Sequence, residues 1–517
     1  MANDSTEDAI SLVAIPMQPS RIAVPPHEGA SLSNTASRDS YRVSWNGDKD
    51  LENPINWSPA LRWGQVVLIS LLTMITSLSS DMLAPAVPMM MKSLNSTDLK
   101  LSSFVVSVYV IGSALGPLLA SPLSEHYGRA KVYNCGNIIF LGSIAGCACS
   151  VNVSMLIAFR FLSGFSGVTP LALGGGSVSD LMPSESLGMA MAIWALGSLI
   201  PPSFAPIAGG YLSETLGWRW IFWVIAIPMA LLTIISPFLL RETYGPILLE
   251  RKAKRIRRQT GDCNYRVDPG TQTTSHRAIL EAFARPTTLF LSSPIIWILG
   301  TQSAVVYGYL YLVFTTLSYV YQDRYHFSAG QSGLTYLGEA IGTLLGVFTV
   351  GAASDKVIKQ RQKAQQTLKP ENWLWPTAVG SVLIPIGLFW YGWTAEVKAH
   401  PVVPLVGLGI FGFGMMSVFQ PIQAYTVKAF PVHAASAMVG VNLLRSLVGA
   451  LLPLGGQKLY SSLGLGWGNS LLAFIALALT PSTWFVMRFG ERIRIRGSGE
   501  EQAERQADGH ADVHING

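Results

Sequence analysis

Residues Ser121–Lys131 read SPLSEHYGRAK. This charged, turn-forming stretch separates two apolar runs, about 103–120 and 133–149, each long enough to cross a bilayer as a helix. A chain that leaves a membrane and re-enters it needs such a hairpin. Gly128 supplies the left-handed turn that ends a helix. Arg129 and Lys131 hold the loop on the side that retains positive charge. Glu125 is placed to face the positive end of a neighbouring helix N-terminus.

The rest of the chain agrees with that reading. Half of its 517 residues are hydrophobic and only 13% are charged, against about 25% in soluble domains. Twelve apolar runs reach bilayer length, at about 66–90, 103–120, 133–149, 155–179, 187–211, 220–240, 294–320, 331–352, 376–394, 402–425, 436–460 and 468–489. Isolated Pro and Gly inside them are tolerated in bundled membrane helices. The expected fold is therefore an all-α membrane protein of twelve transmembrane helices. The net charge of +6 follows from topology and does not point to nucleic acid. The outer loops hold Lys92, Lys100, Arg219, Arg324, Lys398 and Lys458; apart from Arg160 and Arg445 inside the runs, every other Lys and Arg falls on the inner side. Both termini are thus expected in the cytosol. The start, MANDSTEDAISLVAIP, lacks the basic region of a signal peptide, and residues 1–60 read as a disordered cytosolic tail. The sequon Asn95-Ser96-Thr97 lies in the first outer loop, which makes Asn95 a glycosylation candidate.

The gap 241–286 divides the chain into two six-helix halves, 61–240 and 287–489, followed by a cytosolic tail at 490–517. It contains ERKAKRIRRQTG (Glu250–Gly261), which reads as a solvated basic linker helix touching anionic headgroups. The halves are related. IGSALGPLLASPLSE (Ile111–Glu125) aligns without gaps on IGTLLGVFTVGAASD (Ile341–Asp355) at a constant offset of 230 residues. The repeated Gly112/Gly116 and Gly342/Gly346 allow helix backbones to approach closely. Duplicated six-helix units are typical of secondary transporters, whose cargo binds between the halves.

A charge at bilayer depth costs at least ~2.5–3.5 kcal/mol, so intramembrane ionisable residues are candidates for function. Glu339 and Asp81 are candidate proton-coupling carboxylates, although Asp81, near the outer end of its run, also fits a wetted interfacial acid. Arg160 stays protonated and would pull on a carboxylate or hold a water chain. Arg445, with Asn442 three residues earlier, fits cargo contact, snorkelling or a static hydrogen bond between helices.

Glu125-x-x-Gly128-Arg129-x-Lys131 resembles the loop signature of the major facilitator superfamily, with Asp355 closing its repeat. The resemblance spans roughly residues 50–490. Arg160 followed by Gly164 and Gly167 is similar to that superfamily's fourth-span arginine motif. GSLIPPSFAPIAGG (Gly197–Gly210), with Gly197, Pro202, Pro206, Gly209 and Gly210, resembles the antiporter motif of drug–proton exporters. Pro201 and Ala205 stand there in place of usual glycines, Ser121 does so in the loop motif, and Lys428 replaces a usual acid. GWRWIFW (Gly217–Trp223), RETYGPILLERKAKRIRRQTG (Arg241–Gly261) and LGLGWGNSLLAF (Leu463–Phe474) resemble the twelve-span fungal drug:proton antiporter branch. That resemblance implies a cavity lined by the first, fourth, seventh and tenth spans. The candidates there are Gln302, Tyr307, Tyr309 and Tyr311, then Phe411, Phe413, Phe419, Gln420 and Gln423. Aromatic rings with a few amides suit a flat, mostly apolar guest.

Other signals fail. Gly407-Leu-Gly409-Ile-Phe-Gly412 spells a dinucleotide fingerprint but lies inside an apolar run with no strand before it. There is no Walker-type motif, no metal spacing among the eight histidines, and no enzymatic constellation. The expectation is a cofactor-free, proton-driven exporter of small hydrophobic xenobiotics or secondary metabolites. It would act as a monomer in the lipid bilayer of the plasma membrane or an internal vacuolar-type membrane. The alternatives are an uptake symporter of a small polar solute and a non-transporting membrane sensor.

Overall fold

The computed structural model describes residues 43–45, 50–96, 98–262, 265–267, 293–364, 369–429 and 434–515. Helix is the dominant structure among them. The first pass consists of α1 (Pro59–Asp81), a short 3-10 turn and α2 (Val87–Ser93). The second is α3 (Leu99–Tyr127) and the third α4 (Arg129–Ala148). The fourth is α5 (Val153–Gly167) with α6 (Thr169–Leu181), and the fifth α7 (Ser184–Leu199) with α8 (Pro201–Thr215). The sixth is α9 (Arg219–Leu239), followed by the linker helix α10 (Gly245–Thr260). The second half comprises α11 (Pro294–Tyr325), α12 (Ala329–Leu334) with α13 (Leu337–Lys363), α14 (Trp375–Glu396), α15 (Val402–Ala429), α16 (Ala434–Leu451) and α17 (Pro453–Ile515). Three of the broken passes carry proline at the break, Pro85, Pro170 and Pro201, because a ring nitrogen cannot continue the i→i−4 ladder.

All twelve expected runs are helical. Ten stretches qualify as membrane spans by length and apolarity alone. The difference has two causes. Arg129 and Lys131 lower the apolarity of α4, and α17 joins the end of the eleventh pass to the twelfth. Gly464, at φ 74° and ψ 174°, marks that division inside α17. Large apolar side chains cover the outside of the bundle, among them Phe238, Ile234, Phe348 and Trp484. Lipid is the solvent that such a surface fits.

Each half has its own core, one running from Leu68 to Leu240 and one from Ile295 to Val486. The duplication recurs in the packing. A methyl added to Gly112 would strike the Phe161 carbonyl, and one added to Gly342 would strike the Gly409 carbonyl. Gly164 likewise faces the Tyr109 carbonyl, and Gly412 the Glu339 carbonyl. The second and fourth passes therefore pack as the eighth and tenth do. Gly112→Val and Gly342→Val should each reduce the yield of monodisperse protein several-fold on size-exclusion chromatography, since backbone cannot retreat as a side chain can.

The halves meet at the end opposite the Gly128 turn. There Gly210 of α8 packs on the Ala329 carbonyl and Gly333 of α12 on the Pro206 carbonyl. The Glu214 carboxylate accepts hydrogen bonds from the Ser328 hydroxyl and the Gly330 amide, both at 2.9 Å. Gln457 donates to Ser102 at 3.3 Å. These contacts close that end of the bundle.

The linker helix differs from its expected form. Residues 1–42 lie outside the described residues, but 50–58 do not behave as a free tail. Lys252 of α10 reaches Asp50 at 2.7 Å with both side chains almost excluded from solvent, and also donates to the Ser44 carbonyl. Arg255 pairs with Glu52 at 2.5 Å. Val43 and Val267 cover Leu249 and Ala253, with Trp45 packed against them. The apolar stripe of α10 is thus covered by the chain's own segment, and only its opposite face is solvated. A composition-based reading missed this because the covering segment is short and polar overall.

Candidate functional site

The first pass breaks because Pro85, one turn beyond Asp81, has no amide hydrogen for the Asp81 carbonyl. The break leaves polar backbone in the middle of the bundle, and Arg160 of α5 meets it. Its Nη1 donates to the Ser79 carbonyl at 2.6 Å, its Nη2 to Ser80 at 3.2 Å and its Nε to Val105 at 3.3 Å. The guanidinium plane lies 4.8 Å from the Tyr109 ring centroid, and the side chain is wholly buried. Arg160 therefore binds the first and second passes together through carbonyls, where the sequence suggested a grip on a carboxylate.

Asp81 is 9% exposed. The interfacial reading is corrected: the pass continues through α2 to Ser93, so Asp81 lies within it. Its carboxyl lies near Ser80 and interacts electrostatically with Arg160. The Ser80 hydroxyl lies 3.4 Å from the Tyr311 hydroxyl of the other half.

Glu339 is 4% exposed and occupies the first turn of α13, after the break that follows α12. Its carboxylate accepts a hydrogen bond from Thr343 at 2.6 Å and is close enough to Asp81 for the two charges to interact. Tyr336, just before it, donates to the Phe314 carbonyl at 2.7 Å and lies 3.0 Å from the Ser318 hydroxyl. The internal repeat gives this acid its meaning. Glu339 corresponds to Tyr109, and Leu408, four residues before Gly412, corresponds to Arg160, four residues before Gly164. Where the first half seats a tyrosine on an arginine, the second has an acid beside a leucine. The proton-coupling candidates Asp81 and Glu339 thus sit one in each half, both buried.

At the basic end, Gly128 has φ 100° and ψ 150°, a backbone region that only glycine enters easily. A side chain there would strike the Glu242 carboxylate. Glu242 accepts from the Arg129 amide at 2.9 Å and so caps the N-terminus of α4. Glu125, expected in a capping role, is exposed, as is Lys131. Arg129 pairs with Asp180 at 2.9 Å, donates to the Leu173 carbonyl at 3.2 Å and lies over the Tyr244 ring. Asp355 lies on α13, and its side chain is outside those described. Sequence reasoning missed Tyr109, Asp180 and Glu242. Only the acid of the quoted stretch RETYGP hinted at the last. Asp180→Asn should cost about 1–2 kcal/mol, between the exposed and buried limits for an ion pair, and lower the melting temperature in detergent.

The antiporter-motif residues lie at helix contacts. Gly197 approaches the Ser70 carbonyl and Gly209 the Met82 carbonyl, while Pro206 and Gly210 touch α12. Pro202 is half-buried at the start of α8. The cavity candidates divide into two sets. Gln302 is taken up by Ser381 and Thr483, each at 2.8 Å; Tyr309 donates to the Leu472 carbonyl at 2.9 Å; and Phe411 is fully buried against Gly387. These three are committed to packing within the second half. Tyr307, Phe413, Gln420, Asn442 and Arg445 are half-buried, and Gln423 is exposed. Asn95 is exposed with φ 51°, whereas Thr97 of its sequon lies outside the described residues. Among the described residues no three His, Cys, Asp or Glu side chains gather to hold a metal ion.

Two six-pass halves, joined at one end and each burying charge among its helices, are the architecture of a multi-pass membrane transporter. The chain belongs to the Major Facilitator Superfamily, whose family model matches residues 69–453. It is 44% identical over 92% of its length to the MFS transporter cpaT of Aspergillus oryzae, covering 97% of that protein. It is 42% identical over 88% of its length to the efflux pump radE of Floropilus chiversii, covering 85% of that protein. Among solved structures, the xylose transporter XylE from E. coli, in a partially occluded inward-open conformation, matches with a TM-score of 0.57 at 15% identity. That match covers 83% of this chain and 98% of XylE. A bacterial homolog of the human lysosomal transporter Spinster matches with a TM-score of 0.55 at 15% identity, covering 86% and 98%. At that identity the likeness concerns the fold.

Proposed function

We propose that this transporter is a proton-coupled exporter of small, mostly hydrophobic compounds such as xenobiotics or secondary metabolites. One half rocks against the other about a central site. The observation that carries the reading is the buried acid Glu339, in the half where Leu408 stands at the position equivalent to Arg160. An acid so placed exchanges its proton with whichever side the bundle opens to, and its charge changes the balance between the two arrangements. The Glu214 link at the far end supports a form open at the basic end, which is cytosolic in the positive-inside orientation. Likeness to a protein named an efflux pump and the antiporter-like fifth pass support outward direction. No cofactor is required, the monomer suffices, and the plasma membrane is the favoured site.

The energy is adequate. One proton moving down ~100 mV contributes about 2.3 kcal/mol, and one pH unit adds ~1.4 kcal/mol. Together they sustain a gradient of a neutral cargo of roughly several hundred-fold. The test is transport into sealed vesicles under an imposed pH gradient. Cargo movement opposite to protons supports export. Movement with them would make the protein an uptake symporter, and none with any ligand a sensor.

A further inference from the structure

The two intramembrane arginines are used in opposite ways. Arg160 has all three kinds of guanidinium nitrogen engaged by carbonyls. Arg445 of α16 instead touches ring faces. Its guanidinium carbon lies 4.6 Å from the Tyr307 centroid and 5.6 Å from that of Phe419. The two rings meet edge-on at 5.9 Å, and Tyr307 is seated against Gly449, where a methyl would come within 2.7 Å of the ring. Its Nε is buried and has no hydrogen-bond partner. Ring stacking uses the face of the guanidinium and leaves its in-plane N–H edge free. An unsatisfied cation at this depth is costly, so a ligand that completes it is favoured. Asn442, three residues earlier, is half-buried on the same helix face.

We propose that Arg445 is the anion-recognition residue of the cargo site, and that the cargo class is a planar aromatic acid carried as its carboxylate or phenolate. The anion would meet the free N–H edge of Arg445, where a carboxylate fits bidentately, and its ring would lie along Tyr307 and Phe419. This deepens the export reading and rests on it for the word cargo; the recognition itself does not need a gradient. Snorkelling does not account for the arrangement, because the head group is held between rings of α11 and α15.

The test is equilibrium binding to the full-length protein in lipid nanodiscs, with 2-naphthoate and its neutral isostere 2-naphthamide as probes. The wild type is expected to bind the acid at least tenfold more tightly. Arg445→Gln should abolish that preference while keeping naphthamide affinity within about twofold of the wild type. Arg445→Lys, which keeps the charge but loses the planar fork, should retain a two- to threefold preference. Should Arg445→Gln not fold, the fall in preference from wild type to Arg445→Lys reads the same point. Equal affinity for both probes in the wild type, no binding of either, or an undiminished preference in the variants overturns the inference. Such a result leaves proton-driven export intact, and a failure of export in vesicles leaves the acid preference measurable.

Discussion

Glu339→Gln is expected to abolish proton-driven accumulation of cargo in sealed vesicles, a fall of about a hundredfold or more, while cargo binding remains within a few-fold of wild type. Glutamine keeps the size of the side chain and a hydrogen bond with Thr343, so packing around α13 is preserved. What it removes is the ability to load and release a proton. The variant should still equilibrate cargo down its own gradient, and its rate should lack the pH dependence expected of the wild type. Asp81→Asn makes the control. If both acids share one proton across the interface, it too uncouples; if Asp81 only orders the end of α1, it slows transport without uncoupling it. Uphill transport at the wild-type level by the Glu339 variant would remove that acid from the mechanism.

Arg160→Met is expected to cost more in folding than any other single change in the bundle. The methionine fills similar volume but strands the Ser79 and Ser80 carbonyls at the end of α1 in a dry interior and removes the extra bond to the helical Val105 carbonyl. Each orphaned acceptor costs roughly 1–3 kcal/mol, so the sum is a large fraction of the stability of a typical domain. Thermal melting and the yield of monodisperse protein measure it. Arg160→Lys should recover part of the loss, since an ammonium has three donors but cannot span the same fork. A variant that folds normally and fails only in transport would show that the arginine acts on protons or cargo and not on the broken helix.

The two arginines show how far the chain alone can be read. Both stand out in the sequence by the same criterion, a charge in an apolar run, and nothing local separates them. Their neighbours do, and those lie on other helices far along the chain: Val105 and Ser79 for Arg160, Tyr307 and Phe419 for Arg445. The aromatic and amide candidates behaved the same way. Tyr307 and Tyr309 are two residues apart, yet one meets Arg445 and the other is tied to Leu472 of the twelfth pass. Helical rotation of about 200° over two residues puts them on different faces, and only packing decides which face is central.

The chain by itself determined the number of passes, the turn at Gly128, the division into two related halves and the charges that lie inside the apolar runs. These follow from local composition, because a bilayer demands about 20 apolar residues per helix and makes every exception visible. Tertiary structure decided which charges are satisfied. It placed Arg160 on the last carbonyls of α1, gave the capping of α4 to Glu242 and not Glu125, and folded the segment around Asp50 onto α10. It also left Glu339 buried on Thr343, with no arginine paired to it among the described residues. Partners of that kind are set by long-range contact, and no periodicity in the chain records them.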